Sequence, residues 1–123
     1  MKNIKFSVTV FVDAMNLLGG INILNEVEAA FAMGDEYFDT VHGKVLEQLP
    51  DGFESDIDDA FDDVDSEKIM KFLTVDNSGI AFDYSEAECC NDRALVAYRI
   101  PCELNTEKFL TDILGADWVD SVR

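Results

Sequence analysis

Along the first dozen residues, Ile4, Phe6, Val8, Val10 and Val12 are separated by Lys5, Ser7, Thr9 and Phe11. A period of two, rich in β-branched residues, predicts a strand over residues 4–12. Leu17-Leu18-Gly19-Gly20 breaks that pattern. From Ile21 the apolar positions Leu24, Val27, Ala30 and Phe31 recur at helical spacing until Gly34. Phe38, Val41, Val45 and Leu49 repeat the spacing up to the Pro50-Asp51-Gly52 turn, with Tyr37 and Leu46 widening the stripe. Two amphipathic helices are expected there. Ser55 is placed to cap a third, short helix that carries Ile57, Ala60, Phe61 and Val64 on one face.

The second half returns to strand-like composition. Residues 69–75 read as a strand, Asp76-Asn77-Ser78-Gly79 as a turn and residues 80–84 as the returning strand of a hairpin. Residues 94–100 form the next strand, stopped by Pro101. Phe109, Leu110, Ile113 and Leu114 give a helix from Thr106 to Gly115, after which Trp118, Val119 and Val122 fold back as an apolar tail. The order β-α-α-α-β-β-β-α predicts a single α+β domain over residues 1–123, a mostly antiparallel four-stranded sheet with helices packed on a face. Double-stranded RNA-binding domains share the order of the last five elements. The helix at Thr106 offers only Lys108, where such a domain needs a basic cluster to reach phosphates. That assignment is rejected.

Charge changes the picture more than any other feature. The chain carries 26 acidic and 9 basic residues, a net charge of −17, yet 48% of its residues are hydrophobic and nine are Phe. The apolar content calls for a folded core, against the repulsion such charge brings. A surplus of acid excludes direct binding to nucleic acid or to an anionic membrane, because phosphate contacts need Lys or Arg. The N-terminal apolar run is interrupted by Ser7 and Thr9, so neither a secretory leader nor a membrane span is expected. Cys89, Cys90 and Cys102 are odd in number and form no disulfide framework. Their expected state is buried and inert, in a reducing cytoplasm.

The residues for catalysis are not assembled at the level of sequence. His42 is the only histidine, so a histidine-based triad or multi-histidine metal site is excluded within one chain. It is expected at the surface. Adjacent cysteines chelate one zinc ion poorly, where a C-x2-C knuckle does so well. Gly19-Gly20 precedes a helix without the rest of a phosphate loop, and a turn accounts for it. With 26 acids, neighbouring carboxylates carry no diagnostic weight. No enzyme activity, cofactor or metal is expected.

What remains is SDIDDAFDDVDSE, residues 55–67. Read as a calcium loop, Asp56, Asp58, Asp62 and Glu67 fall at ligand positions, but Ala60 supplies no oxygen and Phe61 stands where the loop needs glycine. Read as disordered, the run is contradicted by Ile57, Phe61 and Val64 at helical spacing. Read as a helix, Asp59, Asp63 and Glu67 make one i,i+4 row and Asp58, Asp62 and Asp65 a neighbouring one. Carboxylates then recur on the scale of phosphates along a nucleic-acid strand, about 5–6 Å between Cβ atoms. The surroundings extend the patch: from Asp35 to Glu67 there are 13 acids against Lys44 alone, so these 33 residues hold −12 of the −17.

The expected function is a non-enzymatic binding protein. Asp56, Asp58, Asp59, Asp62, Asp63, Asp65 and Glu67 would meet a basic protein surface, most concretely a DNA- or RNA-binding protein inhibited by nucleic-acid mimicry. Phages and other mobile elements direct such inhibitors at host defences. The alternative is a structural or regulatory adaptor that binds through apolar surface, with Phe11 and the Trp118 tail as candidates and the acids serving solubility. A calcium-binding protein or a small-molecule enzyme ranks below both.

Overall fold

In a computed structural model, residues 1–13, 22–90 and 93–122 are described. The element order is β1 (Ile4–Asp13), α1 (Ile23–Ala32), α2 (Glu36–Glu47), α3 (Glu54–Asp62), α4 (Ser66–Met70), β2 (Leu73–Val75), β3 (Ala81–Cys90), β4 (Arg93–Leu104), α5 (Thr106–Leu114) and α6 (Ala116–Val122). The fold is α+β, built on an antiparallel sheet. The expected turn at Leu17–Gly20 lies outside the described residues.

The strand alternation at the start of the chain forms β1 as expected. Ile4, Phe6, Val8 and Val10 are buried, as are Tyr98, Ile100, Cys102 and Leu104 on β4. Antiparallel pairing sets these residues opposite one another, Ile4 against Leu104 and Val10 against Tyr98. One face of the sheet therefore enters the core, while Lys5, Ser7, Phe11 and Arg99 on the other are exposed. Val27 and Phe31 of α1, Val41 and Val45 of α2, Ile57, Ile69, Phe109, Leu110 and Val119 complete one contiguous core. Asn22 starts α1 by accepting from the Asn25 amide, and Gly115 ends α5 with a positive φ of 97°, which glycine adopts without strain.

The hairpin expected between residues 69–75 and 80–84 does not exist. Residues 66–70 are helical instead, and β2 is confined to Leu73–Val75. A continuous apolar run such as Ile69 to Val75 carries no periodicity that separates helix from strand. Both β2 and β3 pair with β4, in tandem along the edge opposite β1. The sheet is therefore three strands wide, its third position shared by β2 and β3, which pair with β4 and not with each other. Between Val75 and Ala81, six steps of the outer strand stand against three steps of β4, and a 3-10 turn at Asn77–Gly79 takes up the surplus. Asp76 caps that turn, accepting from the Ser78 hydroxyl and amide, and these hydrogen bonds hold its carboxyl below the usual range.

The same turn explains why Pro101 does not stop β4. The Pro101 carbonyl accepts from the Asp76 amide, so that side of the residue faces the interrupted outer strand. In a strand, a residue's N–H points to the same side as its C=O. The hydrogen that proline lacks would therefore point at the 3-10 turn, where the ladder is already broken.

The free edge of β1 is covered by α2. The Tyr37 hydroxyl donates to the Thr9 carbonyl and accepts from the Thr9 amide, at 3.1 and 2.9 Å. The Gln48 side-chain amide does the same for Lys2, at 2.9 Å in both directions. Both ends of the helix are thus fixed to backbone groups that an uncovered edge strand would offer to another chain.

Cys102 is buried and burial pushes its thiol up to about 11, so it is protonated and unreactive at neutral pH. Cys89 and Cys90 lie on β3, and the expectation for their thiols falls on side chains outside those described. No helix among the described residues is long and apolar enough to cross a membrane.

A methyl group added at Gly79 would lie 2.9 Å from the Pro101 ring. Gly79→Ala is expected to lower stability by about 1–3 kcal/mol in urea unfolding. Most of that loss should return in the Gly79→Ala, Pro101→Ala double variant, because the ring is what the methyl meets. Additive losses would show that the turn does not seat against Pro101.

Candidate partner-binding face

The acidic segment is ordered, but as two helices and not one. Phe53, not Ser55, stands at the N-cap of α3, and Ser55 is already inside the helix. The helix ends at Asp62, with Asp63 as its C-cap. Asp65 is extended and starts α4, its carboxylate accepting from the Lys68 amide at 2.8 Å. The two continuous carboxylate rows expected from an unbroken helix are therefore interrupted between Asp62 and Ser66. Asp65 leaves its row because a short aspartate side chain satisfies the first free amides of a following helix well.

The remaining acids divide by what they touch. Asp56 accepts from the Trp118 indole at 3.0 Å, and the Trp118 ring packs edge-on against Phe53. That contact fixes α6 onto α3, so the expected apolar tail does fold back, as a helix with Trp118 packed against the core. Asp58 bonds to His42 Nε2 at 2.5 Å, a contact from α3 to α2. His42 is half-buried, with its ring edge-on to Phe61, where full exposure was expected. The carboxylates of Asp59, Asp62, Asp63 and Glu67 have no hydrogen bond or ion pair among the described residues. All thirteen acids from Asp35 to Glu67 are exposed.

Where α2 meets α3 the surface dips into a groove of about 510 Å³. Its walls are Asp35, the N-cap of α2, Asp39 from α2 and Asp58 and Asp62 from α3, and Phe38, Phe61 and Val64 line it with them. The two rings are where separate aromatic clusters reach the surface. Phe38 stacks edge-on to Phe31, 5.0 Å between centroids, and Phe61 edge-on to Phe109, at 5.6 Å. Four carboxylates beside two aromatic rings are chemically suited to a guanidinium or ammonium group, which pairs with carboxylates and is attracted to ring faces.

Sequence reasoning singled out Asp58 and Asp62 but not Asp35 and Asp39. Their signal was present: each pair has i,i+4 spacing, and each flanks a phenylalanine of an apolar stripe. What the sequence lacked was the packing of α2 on α3. Residues 56–62 are helical, which is incompatible with a calcium loop over them. Among the described residues, no group of three or more His, Cys, Asp or Glu side chains is arranged to hold a metal ion.

No protein-family model, no curated protein and no solved structure matches this chain.

Acids with an internal role and acids without one should respond differently to mutation. Asp65→Ala is expected to cost about 1 kcal/mol by removing the α4 cap. Asp62→Asn and Asp63→Asn together should leave stability unchanged or raise it by a few tenths of a kcal/mol at low ionic strength, by relieving repulsion. Urea unfolding measures both, and a clear loss for the Asn pair would mean that these carboxylates serve the fold.

Proposed function

We propose that the face formed by α2, α3 and α4 binds the basic surface of a partner protein, and that the chain acts by occupying a site meant for nucleic acid. The observation that carries this reading is the exposure of all thirteen carboxylates between Asp35 and Glu67, with Lys44 the one base among them. Exposed acids at this density repel one another, and Asp59, Asp62, Asp63 and Glu67 make no internal hydrogen bond or ion pair among the described residues that would offset it. Solubility alone asks for net charge, not for half of all acids in about a quarter of the chain.

Arg and Lys side chains that grip phosphate oxygens also pair with carboxylates, and a groove evolved for phosphates accepts an ordered acidic surface. The break between α3 and α4 changes the form of the mimicry. Charge is presented as a patch over three helices, centred on the groove at Phe38 and Phe61, and not as parallel rows. Encounter with the partner is steered by the net charge of −17 and weakened by salt. A DNA- or RNA-binding protein of a host defence system is the concrete partner class, which would make the chain an inhibitor.

The free carboxylates make the reading testable without disturbing internal contacts. In the variant carrying Asp59→Lys, Asp62→Lys, Asp63→Lys and Glu67→Lys each reversal adds two charges, which takes the net charge from −17 to −9. Immobilised wild-type chain, incubated with bacterial lysate at low salt and eluted by a salt gradient, is expected to release a basic nucleic-acid-binding protein. The variant should recover little or none of it. An empty wild-type eluate, or equal recovery by the variant, would overturn the proposal.

A further inference from the structure

Among the described residues three large apolar side chains are exposed, and two of them come together. Phe11 on β1 is 48% exposed and Met33 at the end of α1 is 88% exposed. They flank one groove of about 360 Å³, whose wall on the α2 side is the Tyr37 ring. Tyr37 is held in place by its two hydrogen bonds to Thr9, so the groove has a fixed wall and a fixed edge strand. Methionine at such exposure offers an adaptable apolar surface, the kind used to receive side chains of differing shape. The charged residues lining this groove are Glu26 and Glu36, and no base is among the lining residues.

The first turn of α2 is shared by both grooves. Glu36 and Tyr37 face the apolar one, and Asp35, Phe38 and Asp39 face the acidic one. A single partner segment that crosses this turn reaches both.

We propose that the groove between Phe11, Met33 and Tyr37 is an apolar anchor site for a partner segment in which one or two large apolar side chains are flanked by Lys or Arg. The apolar side chain packs against Met33, Phe11 and the Tyr37 ring. The flanking cations pair with Glu26 and Glu36 and continue over the α2 turn toward Asp35 and Asp39. Charge complementarity selects this occupant: an acidic rim on a chain of net charge −17 repels an acidic segment and a second copy of itself alike. The anchor supplies what the acidic face lacks, since charge gives on-rate and salt dependence while buried apolar contacts at the centre of an interface carry affinity. The inference rests on the proposed basic partner and adds the apolar half of its recognition.

Two synthetic peptides of equal length and equal positive charge serve as probes, one with a central Leu-Phe pair among arginines and one with Ser-Ser in its place. Calorimetric titration is expected to show the Leu-Phe peptide binding the wild type about tenfold tighter or more, the scale of burying one large side chain. Met33→Gln with Phe11→Thr changes no charge and is expected to reduce that preference to within about twofold. Affinity for the Ser-Ser peptide and its salt dependence should stay as they are. Met33→Gln alone, at a site 88% exposed, should show part of the effect and guards against a folding defect at Phe11. The Asp59, Asp62, Asp63 and Glu67 reversal should weaken both peptides and keep the preference. Equal binding of the two peptides to wild type, or a preference that survives the double substitution, overturns the anchor site alone. Salt-insensitive binding or no binding of either peptide overturns the acidic face as well, and with it the anchor.

Discussion

Like-charge repulsion is the constraint around which this molecule is arranged. Thirteen exposed carboxylates on α2, α3, α4 and their joints repel one another and oppose the close packing of those helices. Each like-charged i,i+4 pair costs a few tenths of a kcal/mol, whereas each fully buried large side chain contributes about 1.5–3 kcal/mol. Val41, Val45, Ile57 and Ile69 are all fully buried on the inner sides of these helices. The stripe therefore outweighs the repulsion, and the acidic face is ordered because of residues that lie beneath it. Remove the stripe and the same composition would be a solvated, flexible chain.

Position follows from a second layer of contacts. Tyr37 and Gln48 fasten α2 along the open edge of β1, one at each end, by hydrogen bonds to backbone groups that would otherwise be unpaired. Asp58 ties α3 to α2 through His42, and Asp56 ties α6 to α3 through Trp118. Between Asp56 and Glu67 the acids thus fall into a structural set and a free set, the free ones being Asp59, Asp62, Asp63 and Glu67 on α3, α4 and the joint between them. Rigid presentation matters for the proposed role, because a partner that grips an ordered surface does not bear the entropy of ordering it.

Much of this was legible in the sequence where the apolar period was long. The alternation of Ile4 to Val10 fixed β1 and its buried face, and the stripes at Val27 and Phe31 and at Val41 and Val45 fixed α1 and α2. Short elements were not legible. With five residues, α4 gives too few positions to show a period, and Asp65, its cap, was hidden in a run of acids. Strand pairing was missed for a different reason: nothing local distinguishes a hairpin of β2 and β3 from two strands in tandem on β4. The acidic groove was half visible. Asp58 and Asp62 stood out by density, but Asp35 and Asp39 join them only through the packing of α2 on α3, a tertiary fact.

The central claim is that the free carboxylates occupy a site meant for nucleic acid. Competition on a recovered partner tests it most directly. Labelled duplex or single-stranded nucleic acid is bound to that partner, and the chain is titrated in while fluorescence anisotropy reports the bound fraction. The account predicts full displacement, weakening steeply as salt rises, and none by the Asp59, Asp62, Asp63 and Glu67 reversal. A ternary complex, with chain and nucleic acid bound together and neither affecting the other, would contradict it.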